Sequence, residues 1–485
     1  MCARLRFHPA ERWDVMFRVS LVVAFCVSLG STLATGQGLC PIGTASNKLI
    51  CVIPQVFGPN GLQVISTTAP VGFPANFPTG SLDSLQSSIA RQSALLPLAS
   101  PSSGVTFSWD ASAKIFTAAT DSYGPILGER ADTIGKNRLF LGFDYQFFKL
   151  NSIDGLNLKN LPIAYGQGET TFNGQTCTMD GTIDQQTGSC GYIRDVIVTQ
   201  NRIDLQVHQF TTFVTFGLTN RIDLSMAIPI LNVRMDMTSA TTVSHNDSPS
   251  EFFHAFAPTT ACPAPCLFNT FSNAGSSSGI GDITLRAKGT AWKGEKAGLA
   301  LGVDVRLPTG DSLNFLGAGA VGVKPFIIWS YHARVSPHAF VGFETNGSSR
   351  IAGDISTGDK ERLPGDLTYS GGVDFWLTKR LTMAADLVGQ QVFQAPRTNR
   401  TTFTEPGQCQ DSQSEQCDPS LGFLPPKVDA NLADSTGAFN MTNLSLGAKV
   451  KPFSTVLITG NVLIKLNDGG LRARFVPLLG VSYTF

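Results

Sequence analysis

The chain is poor in charge: 36 basic and 36 acidic residues make up 15% of its 485, for a formal net charge of zero. Without a basic excess nothing follows a phosphate backbone, so nucleic acid is excluded as a partner class. Long apolar runs are missing too. Past the N-terminal region no stretch reaches about eighteen apolar residues, and no transmembrane helix is expected. Histidine is scarce, six in all. Cys262-x-x-x-Cys266, with His254 upstream, is a fragment of a metal pattern, but no His or Cys set completes four ligands at usual spacing. No metal and no cofactor is expected.

What the chain does have begins with an export signal. Arg4, Arg6, Arg12 and Arg18 precede an apolar core over 19–29, and Ser31, Thr32, Ala34 and Gly36 supply small residues for cleavage between about residues 34 and 38. A start at Met16 would give a compact signal of ordinary length. A lipoprotein reading would use Cys40, but Gln37-Gly38-Leu39 is a poor lipobox. Beyond the signal the cysteines fall as local couples in Gly/Pro/Ser/Asn-rich segments: Cys40/Cys51, Cys177/Cys190, Cys262/Cys266 and Cys409/Cys417. Local disulfides in an oxidising compartment fit this spacing.

The C-terminus carries the strongest pattern. Counting back from Phe485, every second residue is apolar: Tyr483, Val481, Leu479, Pro477, Phe475, Ala473 and Leu471. A period of two is a strand with one face in an apolar medium and one in water. Such a strand, ending on an aromatic with Tyr two residues before it, resembles the closing strand of bacterial outer-membrane barrels. Tyr483 and Phe485 are thereby candidates for the assembly signal.

The same unit repeats from residue 138 onward. Strands are expected at about 138–149, 203–218, 221–236, 282–288, 299–307, 321–331, 338–346, 366–377, 381–393, 439–451, 454–465 and 471–485. The phase of the third slips at Pro229, which reads as a bulge or an edge-like irregularity, and Pro337 is placed in a turn. Twelve is even, as single-chain bacterial barrels require, and short and long connections alternate strictly. The fold class is therefore all-β: a transmembrane antiparallel up-and-down barrel of about 12 strands. Short turns and both barrel ends are expected in the periplasm, long loops outside. Trp329, Tyr331, Phe375, Tyr483 and Phe485 would mark one rim, Phe147, Phe343 and Phe393 the other. A soluble all-β protein is the alternative, but its strands would be shorter and its outward faces richer in Lys and Glu. The chain divides into a signal peptide (1–38), an N-terminal periplasmic extension or plug (39–137) and the barrel (138–485). Within 39–137 a helix is expected over 81–98, capped by Ser81, with strand-like runs at 105–109 and 114–118.

Charges cannot sit cheaply in hydrocarbon, so alternation assigns them to the lumen. The inward set is Asp144, Asp204, Gln206, His208, Asp223, Asp282, Arg286, Lys288, Asp304, Arg306, Lys324, Glu344, Asp374, Asp386, Lys449, Lys465, Arg472 and Arg474. Of these, Asp282, Arg286, Lys288, Asp304, Arg306, Asp374, Asp386, Arg472 and Arg474 are the candidate pore-lining residues. Asp282, Arg286 and Lys288 should face Asp304 and Arg306 as a cross-strand ion-pair ladder. A lumen of mixed sign argues against strong ion selectivity.

Three segments also resemble a known family. Phe216-Gly-Leu-Thr-Asn-Arg-Ile-Asp-Leu224 followed by Pro229, Gly279-Ile-Gly-Asp-Ile-Thr-Leu-Arg-Ala-Lys288, and Leu307-Pro-Thr-Gly-Asp311 followed by Leu316-Gly317 are similar to the "MetA-pathway of phenol degradation" barrels. The resemblance covers roughly 138–485 and implies an outer-membrane protein that passes small, often aromatic, molecules. The leading expectation is a passive channel for small organic solutes, with outer-membrane lipid, lipopolysaccharide and the barrel-assembly machinery as partners. A structural or adhesive barrel with disulfide-pinned loops is one alternative. A barrel hydrolase is another, with His208 in phase with Asp204 as its one candidate dyad and no catalytic residue assigned.

Overall fold

The structure, a computed structural model, describes residues 39–65, 70–72, 80–93, 107–110, 115–118, 123–166, 170–172, 175–177, 196–244, 255–354, 357–404, 427–453 and 456–485. The signal expected over 1–38 lies outside the described residues. So do Cys190, Cys409 and Cys417, and with them two of the four cysteine couples. The other two are disulfides, Cys40–Cys51 and Cys262–Cys266.

Twelve antiparallel strands close into a barrel: β1 (Leu139–Ile153), β2 (Val196–Gly217), β3 (Ile222–Ser244), β4 (Ile283–Lys293), β5 (Ala297–Leu307), β6 (Gly322–Tyr331), β7 (Val335–Asn346), β8 (Asp366–Thr378), β9 (Leu381–Thr404), β10 (Val428–Val450), β11 (Val456–Lys465) and β12 (Phe475–Thr484). Each pairs with its sequence neighbours, and β12 closes on β1 with Leu479 opposite Tyr145. Closure leaves no free edge in the wall, which is what allows strands to cross hydrocarbon. No helix among the described residues is long and apolar enough to cross a membrane.

Alternation sorts the side chains as the sequence implies. Every strand of the ring exposes at least one large apolar side chain outward, among them Phe143, Phe210, Leu301, Val341, Leu387 and Leu479. A continuous belt of this kind far exceeds the apolar patches of soluble proteins, and it identifies a membrane-spanning barrel. Eleven-residue β5, rising about 3.3 Å per residue at a tilt near 40°, spans roughly 28 Å, close to the usual apolar band.

The upper edge of the belt is legible in the cross-strand register. Tyr145, Phe210 and Ile230 form one outward row across β1–β3; the next is Phe147, His208 and Asn232; the next is Lys149, Gln206 and Arg234. Apolar, interfacial and charged rows follow one another away from the bilayer. This corrects two expectations. The third strand has no bulge at Pro229, which pairs with Thr211 in an unbroken register with β2. The phase of the sequence changes there because the medium changes: above the belt Asn232, Arg234 and Asp236 face water, and Val233, Met235 and Met237 are buried inside. For the same reason Asp204, Gln206 and His208 point outward rather than into the lumen, on the face of Phe210. His208 packs at a tilt against Phe147 and hydrogen-bonds with the Tyr145 hydroxyl, so the Asp204–His208 dyad does not form.

Other boundaries shift modestly. Pro337 lies inside β7, and the turn is 332–334. β9 and β10 run on as a long hairpin through stretches expected to be loop. Phe268–Ile280 pairs with the far half of β3, while β4 pairs with its near half. In the N-terminal segment, α1 is Gly80–Ser93, so Ser81 sits in its first turn and not at a cap. Phe107–Asp110 and Ile115–Ala118 pair as a hairpin.

That segment touches both ends of the barrel. At the long-loop end Lys48 bridges Asp311 at 2.8 Å, Leu49 donates to Asn314, and Phe57 packs edge-on against Phe271. Burial would push the Asp311 carboxyl up, but the Lys48 ammonium outweighs it and holds the group below the usual carboxylate range. At the short-turn end Asn137 donates to the Gly217 carbonyl and Thr133 to that of Asn220.

Candidate functional site

Inside the barrel, β4 to β7 carry a charged wall. Their inward positions alternate with lipid-facing Leu285, Leu301, Ile327 and Val341, so burial of one set dictates the other. Arg286 grips Asp304 with two hydrogen bonds of 2.6 and 2.7 Å and also donates to Glu129 of the N-terminal segment. Arg306 bridges Asp282 at 3.3 Å and Glu344 at 2.9 Å. Lys324 lies 3.5 Å from Glu344 and 3.8 Å from Asp304. Arg286–Asp304 and Arg306–Asp282 pair across β4 and β5 as the ladder expects, and the network extends to Lys324 and Glu344 of the inward set and to Glu129, which the pattern did not include. Paired charges this little exposed hold one another in register.

Toward the short-turn end the N-terminal segment is clasped to the wall. Arg130 bridges the fully enclosed Asp374 at 2.5 Å. Lys288 donates to the carbonyls of Arg130 and Asp132, and Lys449 to those of Tyr123 and Pro125. An ammonium has three donors and no acceptor, so two buried lysines can satisfy themselves by binding the carbonyls of an irregular chain. Asp223 accepts from the Ile134 amide, and His338 sits 2.7 Å from Asp386. Asp132 pairs with His332 at 3.0 Å. Burial pushes the Asp132 carboxyl up, yet the hydrogen bond and charge of His332, with Arg130 nearby, hold it below the ordinary value.

Between the charged wall and the opposite side lies a cavity of about 240 Å³. Arg286, Asp304, Arg306, Lys324 and Glu344 line one side. Phe148, Leu150, Leu463, Leu471, Ala473 and Val476, from β1, β11 and the start of the closing strand, line the other. Leu127, Glu129 and Gln92 of the N-terminal segment line it too, as do Tyr369, Gln390, Met441 and Asn443 of β8–β10 among others.

The nine candidate pore-lining residues thus divide. Arg286, Asp304, Arg306 and Arg472 line the cavity. Asp282 is anchored to the loop after β5, accepting from the Gly310 and Ala318 amides. Lys288, Asp374 and Asp386 are buried under the clasped segment and face no open path. Arg474 is on the outer surface over the Phe475 ring. The reason is a register shift between Arg472 and Ala473, which breaks the closing strand before Phe475 and rotates Arg474 outward. Glu129, Arg130 and His338 were not foreseen. The segment holding the first two has no periodicity, and its one signal is local: Glu129-Arg130-Ala131-Asp132 concentrates charge in a chain that has little.

A closed, even-stranded antiparallel barrel with this belt is the architecture of bacterial outer-membrane proteins. The family described as "MetA-pathway of phenol degradation" matches residues 194–446, more than half of the chain. The chain belongs to that family. No curated protein matches the sequence. Solved structures with a similar arrangement include an outer-membrane channel from Pseudomonas putida F1, at 13% identity and TM-score 0.39, covering 73% of this chain and 98% of that one. A FadL homologue from Pseudomonas aeruginosa is similar at 11% identity and TM-score 0.28, covering 73% and 90%. The deltaS2S3 mutant of the monoaromatic hydrocarbon channel TodX is similar at 7% identity and TM-score 0.22, covering 81% and 97%.

Proposed function

We propose that this barrel is a passive outer-membrane channel for small organic solutes with apolar or aromatic bodies, and not an enzyme. The observation that carries the reading is the cavity enclosed between the barrel wall and the N-terminal segment, one side of it apolar. An apolar cavity of about 150 Å³ is enough to hold benzene, and about 240 Å³ leaves room for a substituted ring. The family's description points to the same class of molecule. Liposomes carrying the purified chain should swell in an isotonic solution of a small aromatic solute faster than protein-free liposomes. Equal rates for every solute tried would sink the reading.

The proposed orientation puts the short turns in the periplasm and the far ends of β2 and β3, with the long β9–β10 hairpin, outside, among lipopolysaccharide, after insertion by the barrel-assembly machinery. A cysteine introduced at Ser435 should react with an impermeant maleimide on intact cells, and one at Thr378 should not. Labelling at Thr378 would reverse the orientation.

The charged wall sets the ionic character of the path. Arg286→Gln with Arg306→Gln leaves Asp282, Asp304, Glu129 and Glu344 without their arginine partners, a change of about two charges within a Debye length of about 8 Å. The reversal potential in a KCl gradient should move toward cation selectivity. An unchanged potential would mean that ions do not pass this wall.

A further inference from the structure

Arg472 differs from every other arginine of the lumen in what surrounds it. Arg286 and Arg306 each hold two carboxylates and Arg130 holds one. Arg472 lines the cavity beside Leu471 and Ala473 and is 5% exposed, yet no carboxylate among the described residues lies within bridging distance of it. Its Nη2 donates to two neutral acceptors, the Thr442 carbonyl at 2.7 Å and Asn443 Oδ1 at 2.8 Å. Its Nε is buried and has no acceptor among the described residues. The neighbouring acid, Asp468, is exposed and bridges Lys465 at 2.5 Å.

A second residue of the same cavity is in the same condition. Gln92, in the last turn of α1, is 3% exposed, and neither its Nε2 nor its Oε1 has a partner among the described residues. α1 packs against Leu471–Ala473, and Gln92 and Arg472 both line the cavity. A buried cation without a counter-charge is costly, and so is a buried amide without hydrogen bonds. Both costs are relieved by one kind of guest: an anion that accepts from Arg472 and Gln92 while its apolar body rests on Phe148, Leu150, Leu463 and Val476.

We infer that the cavity is a binding site for small amphiphilic anions, such as aromatic or short aliphatic carboxylates, with Arg472 as the determinant of the anionic head. This rests on the reading of the lumen as a solute path and narrows it, since a neutral hydrocarbon would leave Arg472 and Gln92 unsatisfied. The charged wall opposite supports the assignment. Its three cations are already matched by Glu129, Asp282, Asp304 and Glu344, so it offers an anion no free positive charge.

The test is calorimetric titration of the full chain in a non-ionic detergent with three probes of one shape: benzoate, benzyl alcohol and benzylammonium. A charge-assisted hydrogen bond in a dry site should make benzoate at least about tenfold tighter than benzyl alcohol, with benzylammonium weakest. Arg472→Met should abolish that preference while leaving benzyl alcohol within about twofold, and Arg472→Lys should keep the order benzoate before benzyl alcohol. Gln92→Leu, which alters no residue of the barrel wall, should weaken benzoate about threefold and serves if Arg472→Met fails to give the heat-modifiable folded band on a gel. Equal affinity for benzoate and benzyl alcohol in the unaltered chain would overturn the inference, as would a benzoate preference that survives in folded Arg472→Met. Liposome swelling separates the two readings. Benzoate binding without swelling in any solute would sink the channel and leave the site standing, whereas swelling without a benzoate preference would do the reverse.

Discussion

Replacing Arg130 by alanine should raise single-channel conductance in planar bilayers well above that of the unaltered chain. The arginine ties the N-terminal segment to Asp374, a carboxylate with no solvent exposure. Removing one partner of an enclosed ion pair typically costs about 3–5 kcal/mol, because the other charge stays buried. At that size the balance between clasped and released segment shifts roughly a hundredfold to several thousandfold. The Lys288 and Lys449 contacts to the same stretch should then loosen, since both end on carbonyls of residues 123–132. Arg130→Ala with Asp374→Ala together should recover much of the closed behaviour, because neither charge is left behind. A single variant that conducts no more than its parent would show that the clasp is not the barrier.

The second large effect concerns the belt. Leu301 stands near the middle of β5, half exposed on the outward face. Leu301→Arg puts a guanidinium at hydrocarbon depth and should destabilise the folded barrel by about 2–4 kcal/mol. It should lower the urea midpoint of unfolding in lipid vesicles and reduce the yield of the heat-modifiable band. Arg234 supplies the internal comparison. It is a natural outward arginine two ladder rows above Ile230, past the edge of the belt, and it bridges Asp236 at 2.9 Å. Arg234→Leu should change the midpoint little. If the two substitutions have similar effects, the position of the belt is wrong.

Pro229 shows how far a one-dimensional pattern can be read. Its alternation was visible, and so was the change of phase beyond it. A bulge and a change of medium leave the same trace in a sequence, because both move the apolar set to the other parity. The unbroken pairing of Thr211 with Pro229 distinguishes them. The same ambiguity put Asp204, Gln206 and His208 on the wrong face: polarity identified water, but water lies outside the barrel above the belt as well as within it. Arg474 failed for a different reason. The register shifts between Arg472 and Ala473, so Arg474 loses the parity of the strand after it, and no composition signal announces such a shift where the neighbours are ordinary strand formers.

The sequence by itself determined the barrel: its strand number, the alternation of short and long connections, the closing strand, and the facing of Asp282 and Arg286 by Asp304 and Arg306. These depend on a period of two and on neighbouring strands being consecutive in the chain, both of which are local properties. Only the tertiary structure decided what occupies the lumen. Glu129 reaches Arg286 and Arg130 reaches Asp374 from an aperiodic stretch, across sequence separations of 157 and 244 residues, and nothing local specifies such a partner. The same holds for Arg472. Its charge was legible, but that no carboxylate among the described residues bridges it depends on which side chains the closed ring and the enclosed segment bring around it.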